Sequence, residues 1–373
     1  MKRKIFYPDY DNSILGIPNA FLDYYGVRTK HPALPILKQA LKQNHKNVIF
    51  IILDGMGIDM LQHDLPFFSF LRRNIKSEIS SVFPPTTVAA TTTYYTGLCP
   101  VEHGWLAWSP YFKDLKRVVE IFTNKDFYTG EVVAENVSKR MPYVHIFDKI
   151  KAVNSNVQLT KIDPANIDPK GAVDIDDFCT KIKKQSQKPG KQFIMAYWGK
   201  PDSTSHKFGP YSSEVKTVLK ELNSKMKKLC SELQDALIII SADHGHIENA
   251  NIFLNDYPDL MDCLAAPLGF DTRVQTVFLK KGKEETFVRL FNRYFKDGFI
   301  LMKSKDALKM NLFGNGKAHP FVKDFLGDYL IISTKGKSLV QRFENDVYSY
   351  LPGMHAGLTN KEMLVPLILL EKD

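Results

Sequence analysis

Two aliphatic runs in this chain each end at an aspartate in a glycine-rich turn. The first spans residues 48–53 and leads into Asp54, and the second spans residues 237–242 and leads into Asp243 and His244. Such runs are typical of buried parallel strands, whose carboxyl ends open onto the crevice where α/β sheets bind ligands. A single aspartate at the end of a strand can equally cap the helix that follows it. Two such ends, one of them with an adjacent histidine, favour a ligand site.

The length of the chain predicts more than one structural unit. A chain of 373 residues is longer than one hydrophobic core usually supports, so we expect a large α/β core with a smaller inserted unit. The pattern changes between residues 250 and 345, where alternating and helical segments replace the long aliphatic runs. We therefore predict a core of residues 1–250 and 346–373, with a small α+β insertion at residues 251–345. The last core strand is expected at residues 364–370.

The sequence contains no recognisable signal for export or membrane insertion. The first ten residues start with three basic side chains, but no apolar segment follows them, which argues against a signal peptide. No apolar run approaches the roughly 18 residues of a membrane span. We therefore expect a cytoplasmic protein with no membrane partner. Its four scattered cysteines are expected to be reduced structural thiols.

The net charge is positive but dispersed. The formal charge of +9 comes from lysines that are interrupted by acidic residues, as on an ordinary solvated surface. This pattern predicts a modest bias toward small anionic substrates rather than the binding of a nucleic-acid polymer.

Further helix and strand signals place other polar groups at the ends of strands. The sequence Pro84-Pro85-Thr86-Thr87 begins a threonine-rich stretch that ends at Gly97, with the start and stop signals of a helix. A predicted strand at residues 193–198 leads to Asp202 and His206, and residues 214–235 have helical spacing. Residues 105–145 are irregular and rich in aromatic side chains, which predicts hairpins or a loop at the border of a cleft.

Seven candidate functional residues follow predicted strands or lie in Gly/Pro turns: Asp54, Thr87, Asp202, His206, Asp243, His244 and His355. Three carboxylates and three imidazoles suit Zn²⁺ or Mn²⁺, and they divide into two sets of three ligands with open coordination positions. Each residue also has a structural interpretation, because a lone Asp or His in a turn is often only hydrogen-bonded. Thr86 or Thr87 can be no more than a helix N-cap. The remaining histidines, His246 among them, are assigned to the surface or to contacts behind the ligands.

Five ordered blocks resemble the type I phosphodiesterase/nucleotide pyrophosphatase branch of the alkaline phosphatase superfamily. They are Leu53-Asp54-Gly55, Phe83–Thr87 together with Tyr95–Gly104, Pro201–Pro210, Ser241–Gly245 and Gly353–His355. The resemblance implies an alkaline phosphatase-like α/β fold, with a mostly parallel central sheet flanked by helices. It also implies two divalent metal ions, with zinc favoured and manganese as the alternative. Asp202, His206 and His355 would hold one ion, while Asp54, Asp243 and His244 would hold the other beside the nucleophile, Thr87.

The same resemblance implies hydrolysis of a phosphodiester or pyrophosphate bond through a phosphothreonine. The expected substrate is a small phosphorylated molecule, with nucleotides among the candidates. A bound dication and the positive end of a helix would both favour the threonine alkoxide. The alternatives are a phosphonate hydrolase similar to phosphonoacetate hydrolase, a phosphomonoesterase and a non-catalytic binding protein. Retention of all six ligands argues against the last of these.

Two departures from the family pattern concern the substrate. Members that cleave nucleotides commonly carry an aromatic residue directly after the nucleophile, where this chain has Val88, and an Asn after a His-Gly pair, where it has Trp105-Leu-Ala-Trp108. An aromatic wall can instead come from Tyr197, Trp105 or Trp108. Lys200 is a candidate for contact with a charged part of the substrate, although a lysine in a turn is usually only solvated.

Overall fold

The computed structural model describes residues 5–373. The basic residues 1–4, on which the argument against a signal peptide partly rests, lie outside the described residues. The strands are β1 (Asn47–Leu53), β2 (Ile75–Ser80), β3 (Tyr111–Phe112), β4 (Arg117–Glu120), β5 (Lys125–Asp126), β6 (Val157–Ile162), β7 (Lys191–Trp198), β8 (Ala236–Ser241), β9 (Ile247–Glu248), β10 (Ala250–Phe253), β11 (Gly269–Asp271), β12 (Val274–Val277), β13 (Phe299–Lys303), β14 (Tyr329–Ser333), β15 (Lys337–Val340), β16 (Gly353–Met354) and β17 (Leu364–Lys372).

The α-helices are α1 (Gly16–Tyr24), α2 (Pro35–Leu41), α3 (Ile58–Asp64), α4 (Phe70–Arg73), α5 (Thr87–Thr96), α6 (Pro100–His103), α7 (Ile146–Val153), α8 (Ile175–Ser186), α9 (Asp202–Phe208), α10 (Ser213–Glu232), α11 (Pro258–Met261), α12 (Glu284–Phe295), α13 (Ser304–Lys309), α14 (Phe321–Leu326) and α15 (Asn360–Met363). Short 3₁₀ helices lie at Tyr10–Asn12, Val137–Arg140 and Leu254–Asp256.

The central sheet has six strands in the order β2-β17-β8-β1-β7-β6. Strand β1 pairs in parallel with both β7 and β8, and β6 pairs in parallel with β7. Only β17 runs against its neighbours, β8 and β2. All seven residues of β1 are buried, as expected for an aliphatic strand covered on both faces. The predicted fold class, an α/β core with a mostly parallel sheet flanked by helices, is confirmed.

Local signals in the sequence place most of the flanking elements. Helix α10 begins after Ser212, whose hydroxyl accepts from the Val215 N–H, and it buries the periodic apolar side chains that predicted it. Helix α5 ends at Gly97, which has a φ of 69° in the left-handed region. Strand β2 ends at Ser80, and Phe83 is buried in a hydrophobic cluster in the turn before α5.

The segment from 251 to 345 contains a four-stranded antiparallel sheet in the order β11-β12-β14-β13. One hydrophobic cluster lies between this sheet and α12, and a second lies between the sheet and residues 83–141. A fully buried ion pair also connects the sheet to the end of the chain. The guanidinium of Arg273, the residue just before β12, donates to the Glu362 carboxylate in α15 at 2.5 and 2.8 Å.

Two further findings concern the whole described chain. All four cysteines are free. Among residues 5–373, no helix has both the length and the apolar character that a membrane crossing requires.

Candidate active site

The sheet topology brings the predicted metal ligands to one edge of the central sheet. Strands β1, β7 and β8 are neighbours and run parallel, so their carboxyl ends meet. Asp54 follows β1, Asp202 opens α9 after β7, and Asp243 follows β8. Backbone hydrogen bonds fix this arrangement, because the Asp202 N–H donates to the Asp54 carbonyl at 2.9 Å and the Gly55 N–H donates to the Asp243 carboxylate at 3.1 Å.

One set of ligand atoms surrounds the Asp202 carboxylate. Nε2 of His206 lies 3.3 Å from Asp202 Oδ1, and Nε2 of His355 lies 3.7 Å from the same oxygen. His206 lies one helical turn after Asp202 in α9, and His355 follows β16. These are the three residues that the family resemblance places on one metal ion.

The second set surrounds His244. Its Nε2 lies 3.4 Å from Asp54 Oδ1 and 3.6 Å from Asp243 Oδ2. The two sets adjoin, because the rings of His244 and His355 stack with their centroids 3.7 Å apart. All six predicted ligands therefore lie in one continuous cluster.

The three histidines are each oriented by a backbone carbonyl that accepts a hydrogen bond from Nδ1. The N···O distances are 2.8 Å for His206 and Gly353, 3.0 Å for His355 and Pro85, and 3.1 Å for His244 and Gly245. Since a carbonyl only accepts, a neutral ring presents the lone pair of Nε2 to the nearby carboxylates. A lone pair and a carboxylate oxygen repel each other unless a proton or a metal ion lies between them. Imidazoles held in this way are typical of metal ligands.

The Asp54 carboxylate also lacks enough positive charge around it. Burial raises the pKa of Asp54 well above its usual value, and the negative charges of Asp202 and Asp243 raise it further. Asp54 Oδ1 and Asp243 Oδ2 are buried without a hydrogen-bond partner. Burial opposes protonation of His206, yet the Asp202 carboxylate raises the pKa of His206 to about 8. A divalent cation would satisfy the unpartnered oxygens and the Nε2 lone pairs together, so the residues present fit a metal centre.

Thr87 is the first residue of α5 and lies beside this cluster. Its Oγ1 is 3.2 Å from His244 Nε2. The neighbouring Thr86 precedes the helix, but its hydroxyl donates to the Asp271 carboxylate at 3.1 Å and does not cap the helix. The next residue, Val88, is buried in the hydrophobic core. Of the two threonines, Thr87 has its hydroxyl at the predicted metal ligands.

The three residues predicted to contact substrate lie elsewhere. The Tyr197 hydroxyl donates to Asp54 Oδ2, and burial raises the pKa of Tyr197 well above its usual value, so it remains a donor to a predicted ligand. Trp105 is buried in the hydrophobic core, and its indole N–H donates to the Met141 carbonyl at 2.8 Å. Lys200 is exposed in the turn after β7. None of the three is among the described residues that line the cavity beside Thr87.

That cavity has a volume of about 520 Å³ and opens beside Thr87, His206 and His355. Its walls combine aromatic rings with carboxylates: Trp108, Phe127, Tyr128, Tyr348, Glu120, Asp271 and Asp346. The segment predicted from its aromatic content to border a cleft supplies four of these side chains. Among the described lining residues there is no lysine or arginine.

His246 is a member of the cluster that sequence reasoning did not place among the ligands. It is fully buried, and its Nε2 lies 2.7 Å from Asp202 Oδ1. Burial lowers the pKa of His246 to about 4, so the neutral ring donates Nε2–H to the carboxylate. The only signal for it was the pattern Asp243-His-Gly-His246 at the end of an aliphatic strand.

Comparison with models of known families shows which family the chain belongs to. The model of the family described as type I phosphodiesterase/nucleotide pyrophosphatase matches residues 48–349. The chain belongs to this family. Bis(5'-adenosyl)-triphosphatase ENPP4 of Bos taurus is 25% identical over 214 residues, which cover 53% of this chain and 47% of that protein. Venom phosphodiesterase of Macrovipera lebetinus is 25% identical over 202 residues, 49% of this chain and 23% of that protein. The chain thus spans about half the length, or less, of these relatives.

Solved structures with the same fold cover nearly the whole chain. Murine ectonucleotide pyrophosphatase/phosphodiesterase 5 has a TM-score of 0.63 and 18% identity, with 86% of this chain and 87% of that one covered. Phosphonoacetate hydrolase from Sinorhizobium meliloti has a TM-score of 0.61 and 17% identity, with coverages of 86% and 89%. These likenesses concern the fold alone, and they confirm the predicted alkaline phosphatase-like architecture.

Proposed function

We propose that this chain hydrolyses a phosphodiester or pyrophosphate bond in a small substrate, with Thr87 as the nucleophile. The observation that carries the proposal is the position of the Thr87 hydroxyl, at the start of a helix and 3.2 Å from His244, beside six metal-type ligands. Membership of a phosphodiesterase and nucleotide pyrophosphatase family supports the same reaction class.

The ligands would hold two divalent ions, zinc in preference and manganese as the alternative. Asp202, His206 and His355 form one set, and Asp54, Asp243 and His244 form the other. When bound, such ions stabilise negative charge on the attacking and leaving oxygens and lower the pKa of a bound water. Tyr197 and His246 act behind the ligands, since each donates a hydrogen bond to one carboxylate and holds its orientation.

Thr87 performs the covalent step. Its Oγ1 forms a bond to phosphorus while the bond from phosphorus to the leaving oxygen breaks, and the leaving group departs with one proton. Water then attacks the phosphothreonine, which restores the Thr87 hydroxyl and releases a phosphate monoester. The first N–H groups of α5 have no carbonyl partner inside the helix, so they can donate to a non-bridging oxygen of the phosphoryl group.

The size and charge of the cavity indicate which substrates it can hold. A volume of about 520 Å³ lies within the range of sites for small organic ligands. Its carboxylates, and the lack of lysine or arginine among its described lining residues, disfavour a substituent with further negative charge. Diesters with one phosphate and an uncharged, partly aromatic substituent therefore fit better than polyphosphates. Phosphonoacetate fits less well, because it carries a carboxylate in addition to its phosphonate group.

The test is an assay of the purified protein in zinc and in manganese with three substrates. We expect bis-p-nitrophenyl phosphate to be turned over faster than p-nitrophenyl phosphate, and phosphonoacetate to be cleaved slowly or not at all. Faster cleavage of phosphonoacetate would favour the phosphonate hydrolase, and faster monoester cleavage would favour a phosphomonoesterase. Negligible diester turnover with both metals would overturn the proposal.

A further inference from the structure

A second group of metal-type side chains lies at the opposite end of helix α5 from Thr87. Cys99 and Glu102 follow the carboxyl end of this helix, and His31 reaches them from the connection between α1 and α2. Nε2 of His31 lies 2.5 Å from Glu102 Oε2 and 3.8 Å from Cys99 Sγ. One ligand atom from each of the three residues lies within 4.8 Å of the other two. About 15 Å of helix separates this group from the predicted active site.

The group is enclosed by a loop that approaches it closely. Gly314 and Gly316 both have positive φ values, 86° and 133°. A Cβ atom on Gly314 would lie 2.5 Å from Cys99 Sγ, and one on Gly316 would lie 2.5 Å from Glu102 Oε1. Between them, the Asn315 backbone N–H donates to the Cys99 sulfur. Glycine at both positions lets the backbone form the wall of the group and supply a donor to the thiolate form.

The three side chains are of the types that bind zinc, and their spacing is close to that of a zinc site. Thiolate, imidazole and carboxylate are the usual zinc ligands, and their bond lengths place sulfur and nitrogen about 3.6 Å apart in a tetrahedral site. The observed distance of 3.8 Å between Cys99 Sγ and His31 Nε2 is close to this value. His31 and Glu102 would have to separate from 2.5 Å to about 3.4 Å. This change requires a rotation of the His31 or the Glu102 side chain.

Other contacts already hold these side chains in place. The ring of His31 is hydrogen-bonded to Glu102, and the same Glu102 oxygen accepts from the Cys99 backbone N–H at 3.0 Å. A divalent cation bound to the thiolate and the carboxylate would balance both negative charges.

We propose that His31, Cys99 and Glu102 form a zinc-binding site that is separate from the predicted catalytic centre. With three protein ligands, a water molecule completes the tetrahedron. The ion would tie together the loop before α2, the carboxyl end of the helix that carries Thr87, and the loop at residues 314–316. Its function is to stabilise the folded state around the carboxyl end of α5.

Cobalt substitution distinguishes this site from the predicted catalytic centre. Sulfur coordination to Co²⁺ produces an intense charge-transfer absorption in the near ultraviolet, whereas the catalytic ligands supply only oxygen and nitrogen. We expect the metal-free full-length protein to develop this absorption on titration with Co²⁺, and zinc to remove it by displacement. Absence of the absorption at saturating cobalt would overturn the site, leaving His31 and Glu102 as a structural ion pair.

Substitutions test whether Cys99 supplies the sulfur ligand. Cys99→Ser should abolish the charge-transfer absorption and reduce bound zinc by one ion per chain. Cys179→Ser is the matched control, because Cys179 is the only cysteine that is not fully buried, and this variant should keep the absorption. Glu102→Gln retains the thiol and should weaken cobalt binding at this site at least tenfold. An absorption that persists in Cys99→Ser, or an unchanged affinity in Glu102→Gln, would contradict the proposal.

Discussion

Residues of the kinds that bind metals lie at both ends of helix α5. The two groups differ in how many of their polar atoms already have a hydrogen-bond partner. At the amino end, three imidazoles present Nε2 to carboxylates, and Asp54 and Asp243 each keep an oxygen that is buried without a hydrogen-bond partner. At the carboxyl end, His31 and Glu102 already form a hydrogen bond with each other, and burial raises the pKa of Cys99. The amino end is therefore arranged for cations before they bind. The carboxyl end has a stable metal-free alternative, so we expect it to bind metal more weakly.

The largest effect is expected from removal of the nucleophile. Thr87→Ala should lower kcat for a diester by about 10⁴-fold or more, as loss of a nucleophile does in other covalent hydrolases. The metal content of the variant, measured by elemental analysis, should remain unchanged.

Thr86→Ala is the matched control, because the Thr86 hydroxyl contacts Asp271 and not the ligand cluster. It should retain turnover within about tenfold, the cost expected for loss of one hydrogen bond near the site. If Thr86→Ala is inactive while Thr87→Ala is active, the assignment of the nucleophile is wrong.

Removal of metal tests the six predicted ligands at the amino end of α5 together. Treatment with a chelator should reduce turnover to background, and added zinc or manganese should restore it. Ions bound at a free concentration one hundred times their Kd stabilise the folded state by about 2.7 kcal/mol, which thermal unfolding of the metal-free and loaded protein can measure. Full activity after exhaustive dialysis against the chelator, with no metal detected, would rule out a metal centre.

Substitution of a residue that donates a hydrogen bond to a ligand should have an intermediate effect on metal affinity and turnover. Tyr197→Phe removes only the hydroxyl that donates to Asp54, and loss of such a partner typically costs about 10- to 100-fold in metal affinity or activity. Metal titration followed by turnover measures both quantities. Tyr24→Phe is the control, since its hydroxyl contacts only Asn44 on the surface. Equal behaviour of the two variants would show that Tyr197 has no role in orienting Asp54.

The smallest effect on turnover is expected at the carboxyl end of α5. Cys99→Ser should change kcat by less than about twofold, because no chemistry occurs there, while the zinc-dependent increase in Tm should become smaller than in the unaltered protein. A loss of turnover comparable to that of Tyr197→Phe would mean that the two ends of the helix are energetically coupled.

Much of the fold and of the ligand cluster followed from short patterns in the chain. The aliphatic runs before Asp54 and Asp243 predicted neighbouring parallel strands, because strands that are buried on both faces need apolar side chains throughout. Helix α10 followed from its apolar spacing, and α5 from the threonines before it and Gly97 after it. Parallel strands end at one edge of a sheet, so Asp54, Asp202 and Asp243 could be expected to lie near one another. That His355 joins them, from a segment after the short antiparallel strand β16, was implied by the family resemblance.

The substrate contacts were predicted less well. Trp105 and Trp108 lie three residues apart in an irregular segment, and nothing in their spacing distinguishes them. In the structure Trp105 is buried in the hydrophobic core, while Trp108 lines the cavity with residues from 271 and 341–355. The orientation of a side chain in such a segment depends on what packs against it from distant parts of the chain.

The sequence by itself determined the main parallel strands, several helix boundaries and the set of candidate ligands, because aliphatic runs, helix caps and residue types are local properties. Its five short blocks also carried the family resemblance, from which the proposed reaction class and the role of Thr87 follow. Only the tertiary structure decided which groups stand behind those ligands, which side chains form the cavity wall, and that His31 meets Cys99 and Glu102. Those contacts join residues tens to hundreds of positions apart. Each depends on the packing of the intervening elements, and no spacing along the chain encodes it.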